Sequence, residues 1–178
     1  MHYVGIGSLA APIYIYIENI PPLPFYEALD DMHAMKHGEI ADIGKQTGNH
    51  WRKVFNVFAK FEFEREPLQF ETWQNLRDEQ LLTSQSAQCL LFSEPEIDAL
   101  PSDKIHIIMG KTYATKLGLA QQCHWLNEFF AFDEKRRVII CPYFDYRQLS
   151  NIKITQLTKL IEHLNTGLVA SKHYQTSS

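Results

Sequence analysis

Four short apolar runs stand out along the chain, and each leads into a polar or turn-forming stretch. They cover residues 13–17, 89–92, 105–109 and 138–141. Runs of this length, rich in isoleucine and tyrosine, are typical of strands that are buried on both faces of a sheet. The pattern therefore predicts four strands at the centre of the molecule.

Apolar residues at helical spacing dominate the segments between these runs. They predict helices over residues 25–36, 49–60, 70–82, 111–117 and 151–164. We expect residues 37–48 to form a polar connection, with Gly38 ending the helix before it. Alternating strands and helices favour parallel pairing through right-handed crossovers. The predicted fold class is α/β: a three-layer α/β/α sandwich with a short central, mostly parallel four-stranded sheet.

The length of 178 residues fits one domain, and an apolar fraction of 45% excludes a disordered chain. We expect a single domain over residues 1–178, with a core over about 13–168 and a frayed tail over 171–178. No stretch is apolar enough to span a bilayer, and the N-terminus lacks a basic leader. These features predict a cytoplasmic protein with no membrane partner.

The three cysteines, Cys89, Cys123 and Cys141, are widely spaced and form no CxxC pair. This spacing argues against a structural zinc or an iron–sulfur cluster and favours free thiols in a reducing compartment. The histidines show no metal-ligand spacing. We therefore expect neither a metal nor another cofactor.

The net charge of −4 is unevenly distributed. Residues 1–102 hold 7 Lys/Arg and 15 Asp/Glu, whereas residues 103–160 hold 9 and 5. A tight nonspecific nucleic-acid binder is usually more basic overall, but this distribution leaves room for a positive face in the second half.

Parallel sheets bind ligands beyond the carboxyl ends of their strands. Four segments should arrive there: residues 18–24, which contain a proline-rich loop, and residues 93–94, 110–112 and 142–150. We predict that the proline-rich loop, the turn at residue 110 and the aromatic segment near residue 145 wall one ligand-sized cleft.

Candidate roles within these segments stay open at this point. Glu18 and Asn19 are suited to orienting a water or binding a polar ligand; the alternative is that Asn19 satisfies local backbone groups at the turn. Lys111 and the amides beside it are suited to an anion, or Lys111 is simply solvated.

The last loop offers the same choice between binding and packing. Tyr143, Phe144 and Tyr146 are suited to stacking on a flat ligand, and Arg147 to a phosphate. The alternative is a loop packed by its own aromatic residues, with Arg147 paired to Asp145.

Three segments together resemble the uracil-DNA glycosylase superfamily, especially its mismatch-specific branch that removes uracil or thymine. Residues 48–55 are similar to the helix start that follows the first active-site loop of that family. Residues 109–114 are similar to its Gly-Lys-x-Ala helix, and residues 138–164 to its last strand, last loop and C-terminal helix. The order agrees over most of residues 13–165.

The resemblance implies a cleft at the strand ends into which a target base is flipped. It implies that Asn19 or Glu18 orients the attacking water and that Lys111 and Arg147 hold phosphates. It also implies further binding residues: Tyr16, Phe25, Trp51, Tyr143 and Ser150. The first loop lacks the glycines of the family pattern, and the last loop lacks its His-Pro-Ser or Asn-Pro-Ser sequence.

Two functions on this fold therefore follow from the sequence, and an unrelated α/β enzyme that acts on a small ligand is the remaining alternative. The first is a divergent uracil-DNA glycosylase-like protein that recognises a nucleobase or DNA, either as a hydrolase or without catalysis. The second is a non-catalytic binding or regulatory module on the same fold, with a protein or small-molecule partner.

Overall fold

The chain folds around one mixed sheet. The structure is a computed structural model, and it describes residues 2–66 and 69–166. Within these residues the sheet has eight strands: β1 (Gly5–Ile6), β2 (Ile13–Tyr16), β3 (Met32–His33), β4 (Gln88–Leu91), β5 (Ile105–Met109), β6 (His124–Trp125), β7 (Ala131–Asp133) and β8 (Val138–Cys141). The helices are α1 (Pro24–Glu27), α2 (Glu39–Thr47), α3 (Asn49–Arg65), α4 (Trp73–Glu79), α5 (Lys111–Lys116) and α6 (Asn151–Thr166). The strand order is β3-β1-β4-β2-β5-β8-β7-β6.

The four predicted apolar runs form the centre of this sheet. Strands β4, β2, β5 and β8 are neighbours and pair in parallel, and every residue in them is buried. Tyr16 lies opposite Leu91 on one side and Ile108 on the other, and Ile108 lies opposite Ile140. The α/β prediction is confirmed, and the four central strands end at a common level.

The sheet is wider than the predicted four strands. On one side β1 runs antiparallel to β4 and carries β3, and on the other β7 and β6 continue antiparallel from β8. These added strands have only two or three residues each. Strands this short leave no periodic pattern in a sequence, which is why the pattern of apolar residues did not predict them.

Side chains alternate between the two faces of the sheet, as strand geometry requires. Ile13, Ile15 and Ile17 belong to the apolar core that includes α2, α3, α4 and α6. Tyr14 and Tyr16 belong to the core on the opposite face, which includes α5. Helices therefore cover both faces. Helix α6 buries the predicted stripe: Ile154, Leu157, Leu160, Ile161 and Leu164.

The predicted helix over residues 25–36 is wrong. Helix α1 ends at Glu27, and Met32–His33 forms strand β3 beside β1. Met35, which fitted the helical spacing, is buried in the core without being helical. Tertiary pairing with β1 outweighs the local pattern of apolar residues here.

The predicted polar connection over residues 37–48 is also wrong, because residues 39–47 form α2. Gly38 precedes this helix rather than ending another, and its φ of +91° is a left-handed conformation that suits glycine. Glu39 fixes the helix start: its carboxylate accepts hydrogen bonds from the Tyr26 hydroxyl at 2.9 Å and from the Lys36 amide at 2.9 Å.

The predicted tail over residues 171–178 and the predicted end of the core at residue 168 lie outside the described residues. Among the described residues, no helix combines the length and the apolar character that crossing a membrane requires.

A buried hydrogen-bond chain joins β2 to β5. The Tyr16 hydroxyl lies 2.9 Å from Nδ1 of His106, and Nε2 of His106 lies 2.8 Å from the carbonyl oxygen of Pro101. Because a carbonyl only accepts, Nε2 carries the proton and Nδ1 accepts from Tyr16. Burial lowers the pKa of His106, which keeps the imidazole neutral.

This arrangement predicts a specific pH dependence of stability. With the pKa of His106 lowered in the folded state, the unfolded chain takes up the proton first, at a pH near the usual histidine value of about 6.5. The stabilisation is full above that pH and is lost as the pH falls, so urea midpoints should decrease between about pH 7 and pH 5. His106→Gln should flatten this dependence relative to the exposed control His37→Gln. Equal slopes in the two variants would contradict the assignment.

Candidate functional site

A cleft of about 400 Å³ opens at the carboxyl edge of the four central strands. Its lining comes from the residues after β2, the end of β5 with the start of α5, the turn between β6 and β7, and the loop after β8: Glu18, Asn19, Met109, Gly110, Lys111, Thr112, Tyr113, Glu128, Phe129, Cys141, Pro142, Tyr143 and Gln148. The prediction that three separate segments wall one cleft is therefore confirmed for residues 18–19 and 110–112 and for Pro142, Tyr143 and Gln148. The prolines of the first loop and residues 144–147 are not part of this lining.

The fourth predicted segment contributes to an adjoining cavity of about 360 Å³, which Glu94 lines. Glu18 and Tyr113 line both cavities. Glu18 forms an ion pair with Lys116 at 2.5 Å, and Lys116 lines the second cavity. The ion pair therefore lies along the boundary between the two cavities.

Gly110 sets the shape of the turn between β5 and α5. Its φ of +101° is strained for any residue with a side chain, and its N–H donates to the carbonyl of Cys141 at 2.9 Å. A Cβ at this position would lie 3.8 Å from the Tyr143 ring, so Tyr143 packs closely over the turn. The glycine thus joins the ends of β5 and β8 at the floor of the cleft.

Several polar side chains in the cleft have no hydrogen-bond or ion-pair partner within the described residues. Within the described residues, the side chains of Asn19, Thr112, Glu128 and Gln148 make no hydrogen bond or ion pair to the protein. An amide, a hydroxyl and a carboxylate in this state are free to meet the polar edge of a ligand.

Aromatic rings form the other part of the wall. The Tyr143 hydroxyl lies 2.9 Å from Nε2 of His50, and burial raises the pKa of Tyr143 to about 12, so the phenol stays neutral. Phe129 is 37% exposed, and Nζ of Lys153 lies 3.5 Å from its ring centroid. Nζ of Lys111 lies 4.9 Å from the Trp125 ring centroid. Flat apolar surface and positive charge therefore occur side by side.

Positive charge continues from the cleft onto the surface of the last loop. The Tyr146 ring is half exposed, and both Nζ of Lys53 and Cζ of Arg147 lie 5.5 Å from its centroid. We call Lys53, Tyr146, Arg147 and Lys153 the cationic rim. Its members come from α3, the last loop and α6, so the fold rather than the local sequence assembles it.

The structure brings together four of the residues predicted for the site: Glu18, Asn19, Lys111 and Tyr143 line the cleft. Arg147 lies beside it on the cationic rim. Its backbone N–H donates to Oδ1 of Asp145 at 2.9 Å, and no ion pair joins their side chains within the described residues.

The other predicted site residues lie outside the cleft lining. Tyr16 and Trp51 are buried, the first against His106 and the second in the core. Phe25 is exposed and packs against His33. The carbonyl of Ser150 accepts from the Ile154 amide at 2.8 Å, where it begins α6.

Sequence reasoning missed Glu128 and Phe129, and it gave Gln148 no role although the predicted segment 142–150 contains it. The first two belong to the β6–β7 turn, which Asn127 shapes by accepting from the amides of Phe129 and Phe130 at 2.8 and 2.9 Å. An asparagine such as Asn127 between two short apolar stretches is a local signal that predicts a turn. Nothing local, however, indicates that this turn reaches the cleft.

The thiol that lines the cleft is poorly suited to nucleophilic chemistry. Cys141 is completely buried, and burial raises the pKa of its thiol far above the usual range. Within the described part of the chain, no group of three or more His, Cys, Asp or Glu side chains is arranged to hold a metal ion. The polar groups that line the cleft include the carboxylates of Glu18 and Glu128, the amides of Asn19 and Gln148, and the amine of Lys111.

No curated protein and no solved structure matches the chain. One family model does match it, over residues 4–162, which is most of the sequence. On that match, the chain belongs to the family of unknown function DUF6942.

Proposed function

We propose that the cleft binds a nucleobase presented by a nucleic-acid strand, with the neighbouring phosphates on the cationic rim. The observation that carries this proposal is that polar side chains without a protein partner and aromatic rings line the cleft beside the cations of the rim. A base has a polar edge and a flat face, and its strand carries a charge at every phosphate.

The cleft has the right inventory for a base edge. The amides of Asn19 and Gln148 each offer a donor and an acceptor, and Thr112 adds a hydroxyl. Tyr143 and Phe129 offer ring faces for stacking. A volume of about 400 Å³ accommodates one base with its sugar, which favours a base that has left the stack.

The cationic rim supplies positive charge beside the cleft for the phosphates of a bound strand. Lys53, Arg147 and Lys153 lie on exposed aromatic rings or beside the loop that lines the cleft. Their charges make a local positive surface on a chain whose net charge is −4. Such a local surface suits weak binding at one site better than tight nonspecific binding along DNA.

The proposal includes kinship with the uracil-DNA glycosylase superfamily and its fold. The kinship is supported by the central parallel strands and by the segments that carry the resemblance: residues 110–112 and 142–148 both border the cleft, together with residues 18–19 of the first loop.

Hydrolysis of the glycosidic bond is a second candidate, favoured by the carboxylate of Glu128 in the same cleft as the Asn19 amide. A carboxylate and an amide together are suited to orienting a water beside a bound base. Glu18 is less suited to this task, because its carboxylate is held by Lys116.

Binding is tested with a fluorescently labelled single-stranded oligonucleotide in an anisotropy titration at several salt concentrations. Lys153→Gln should weaken binding several-fold and reduce the slope of log K against log salt by about 0.7, the value for one phosphate contact on a single strand. Lys159→Gln, on an exposed position of the same helix, is the matched control and should leave both unchanged. Absence of salt-dependent binding, or equal effects of the two variants, would contradict the proposal.

Catalysis is tested with oligonucleotides that contain uracil, hypoxanthine or a T:G mismatch, followed by alkaline cleavage at abasic sites. If bases are released, Asn19→Ala and Glu128→Gln should each reduce the rate by about 100-fold or more while leaving the urea midpoint unchanged. Binding without base release in the wild type would leave recognition standing and remove hydrolysis.

A further inference from the structure

A second concave site lies on the outer side of the helical layer. Helices α2, α3 and α4 enclose a groove of about 250 Å³ that shares no lining residue with the cleft. Its lining includes the buried side chains of Ile40 and Phe55 and three cations: Lys45, Arg52 and Arg77. Three of the seven Lys/Arg residues in the acidic first half of the chain therefore meet at one groove.

Only one of these cations is committed to a protein partner. Arg77 donates to Asp78 at 2.9 Å and to Asn56 at 2.9 Å, and its guanidinium lies over the Trp73 ring. Within the described residues, the side chains of Lys45 and Arg52 form no hydrogen bond or ion pair. Because Asp78 is neutralised by Arg77, the groove carries two uncompensated positive charges.

The position of the Arg52 side chain depends on the absence of a side chain at Gly44. A Cβ on Gly44 would lie 2.8 Å from Cγ of Arg52 and 3.1 Å from its Nε, so the Arg52 side chain would have to shift to make room for it. The stem of Arg52 therefore packs against α2 in this position only because residue 44 is glycine. Glycine in the middle of a helix costs about 0.5–1 kcal/mol relative to alanine, so this close approach is made at a cost in helix stability.

We propose that this groove binds a small organic anion whose carboxylate or phosphate meets Arg52 and Lys45 and whose apolar body lies against Ile40 and Phe55. A guanidinium pairs with either anion through two parallel hydrogen bonds. A volume of about 250 Å³ suits a compact ligand and is smaller than the usual range for nucleotide-sized molecules. The site is independent of the cleft and of the function proposed for it.

The test is calorimetric titration of the whole protein with four probes: benzoate, phenyl phosphate, inorganic phosphate and benzyl alcohol. Benzoate or phenyl phosphate should bind with an affinity that falls as salt rises, and benzyl alcohol, which lacks the charge, should not. Inorganic phosphate should bind more weakly than phenyl phosphate because it lacks the apolar body. A preference between benzoate and phenyl phosphate identifies which anion the groove takes.

Two variants distinguish specific binding in this groove from nonspecific attraction of an anion to a positively charged surface. Arg52→Gln should reduce the affinity for the preferred probe by about tenfold. Gly44→Ala should reduce it similarly with every charge retained, because the new methyl group displaces Arg52, and should leave the fold intact since alanine favours helix. Lys60→Gln, on α3 outside the groove, should bind normally.

The proposal is overturned if neither organic anion binds, or if the Arg52 and Gly44 variants bind as tightly as the Lys60 variant. Because the probes contain no nucleobase and the variants leave the cleft unchanged, neither result bears on nucleic-acid binding.

Discussion

The position of the cleft depends on the register of the four central parallel strands. The hydrogen bonds of the sheet continue one residue past the strands, from the Ile17 amide to the Leu91 carbonyl at 3.1 Å and from the Gly110 amide to the Cys141 carbonyl at 2.9 Å. Because these strands end at the same level, the loops that follow them begin at the same edge of the sheet. Residues far apart in sequence therefore meet at this edge. A slip of one residue would turn every buried side chain to the opposite face and would also separate these loops.

The same constraint explains which parts of the fold the sequence reveals. A central strand is buried on both faces and reads as a continuous apolar run, as residues 13–16 do. Helix α3 is long enough for its spacing to be unambiguous. Met32 and His33 pair with β1 through only two residues, and the isoleucines of α2 were outweighed by the polar residues around them. Short edge strands depend on tertiary partners, which local patterns do not encode.

The candidate site divides along the same line. Asn19 and Lys111 were predictable because each comes directly after a central strand, where topology dictates the outcome. Glu128 was not, because it reaches the cleft from an antiparallel hairpin at the edge of the sheet. Aromatic residues were harder still to assign: Trp51 is buried in the core, whereas Tyr146 is half exposed on the rim. The type of an aromatic residue does not show whether its ring is buried in the core or exposed at the surface.

Amide chemical shifts measure, residue by residue, whether the carboxyl edge of the parallel strands binds a nucleobase, as we propose. In a titration of isotopically labelled protein with a short single-stranded oligonucleotide, we expect the largest shifts at residues 18–19, 110–112, 128–129 and 143–148. Amides at the amino ends of the same strands should remain unchanged. Shifts confined to those amino ends, or no shifts anywhere at saturating oligonucleotide, would contradict nucleobase binding at this edge.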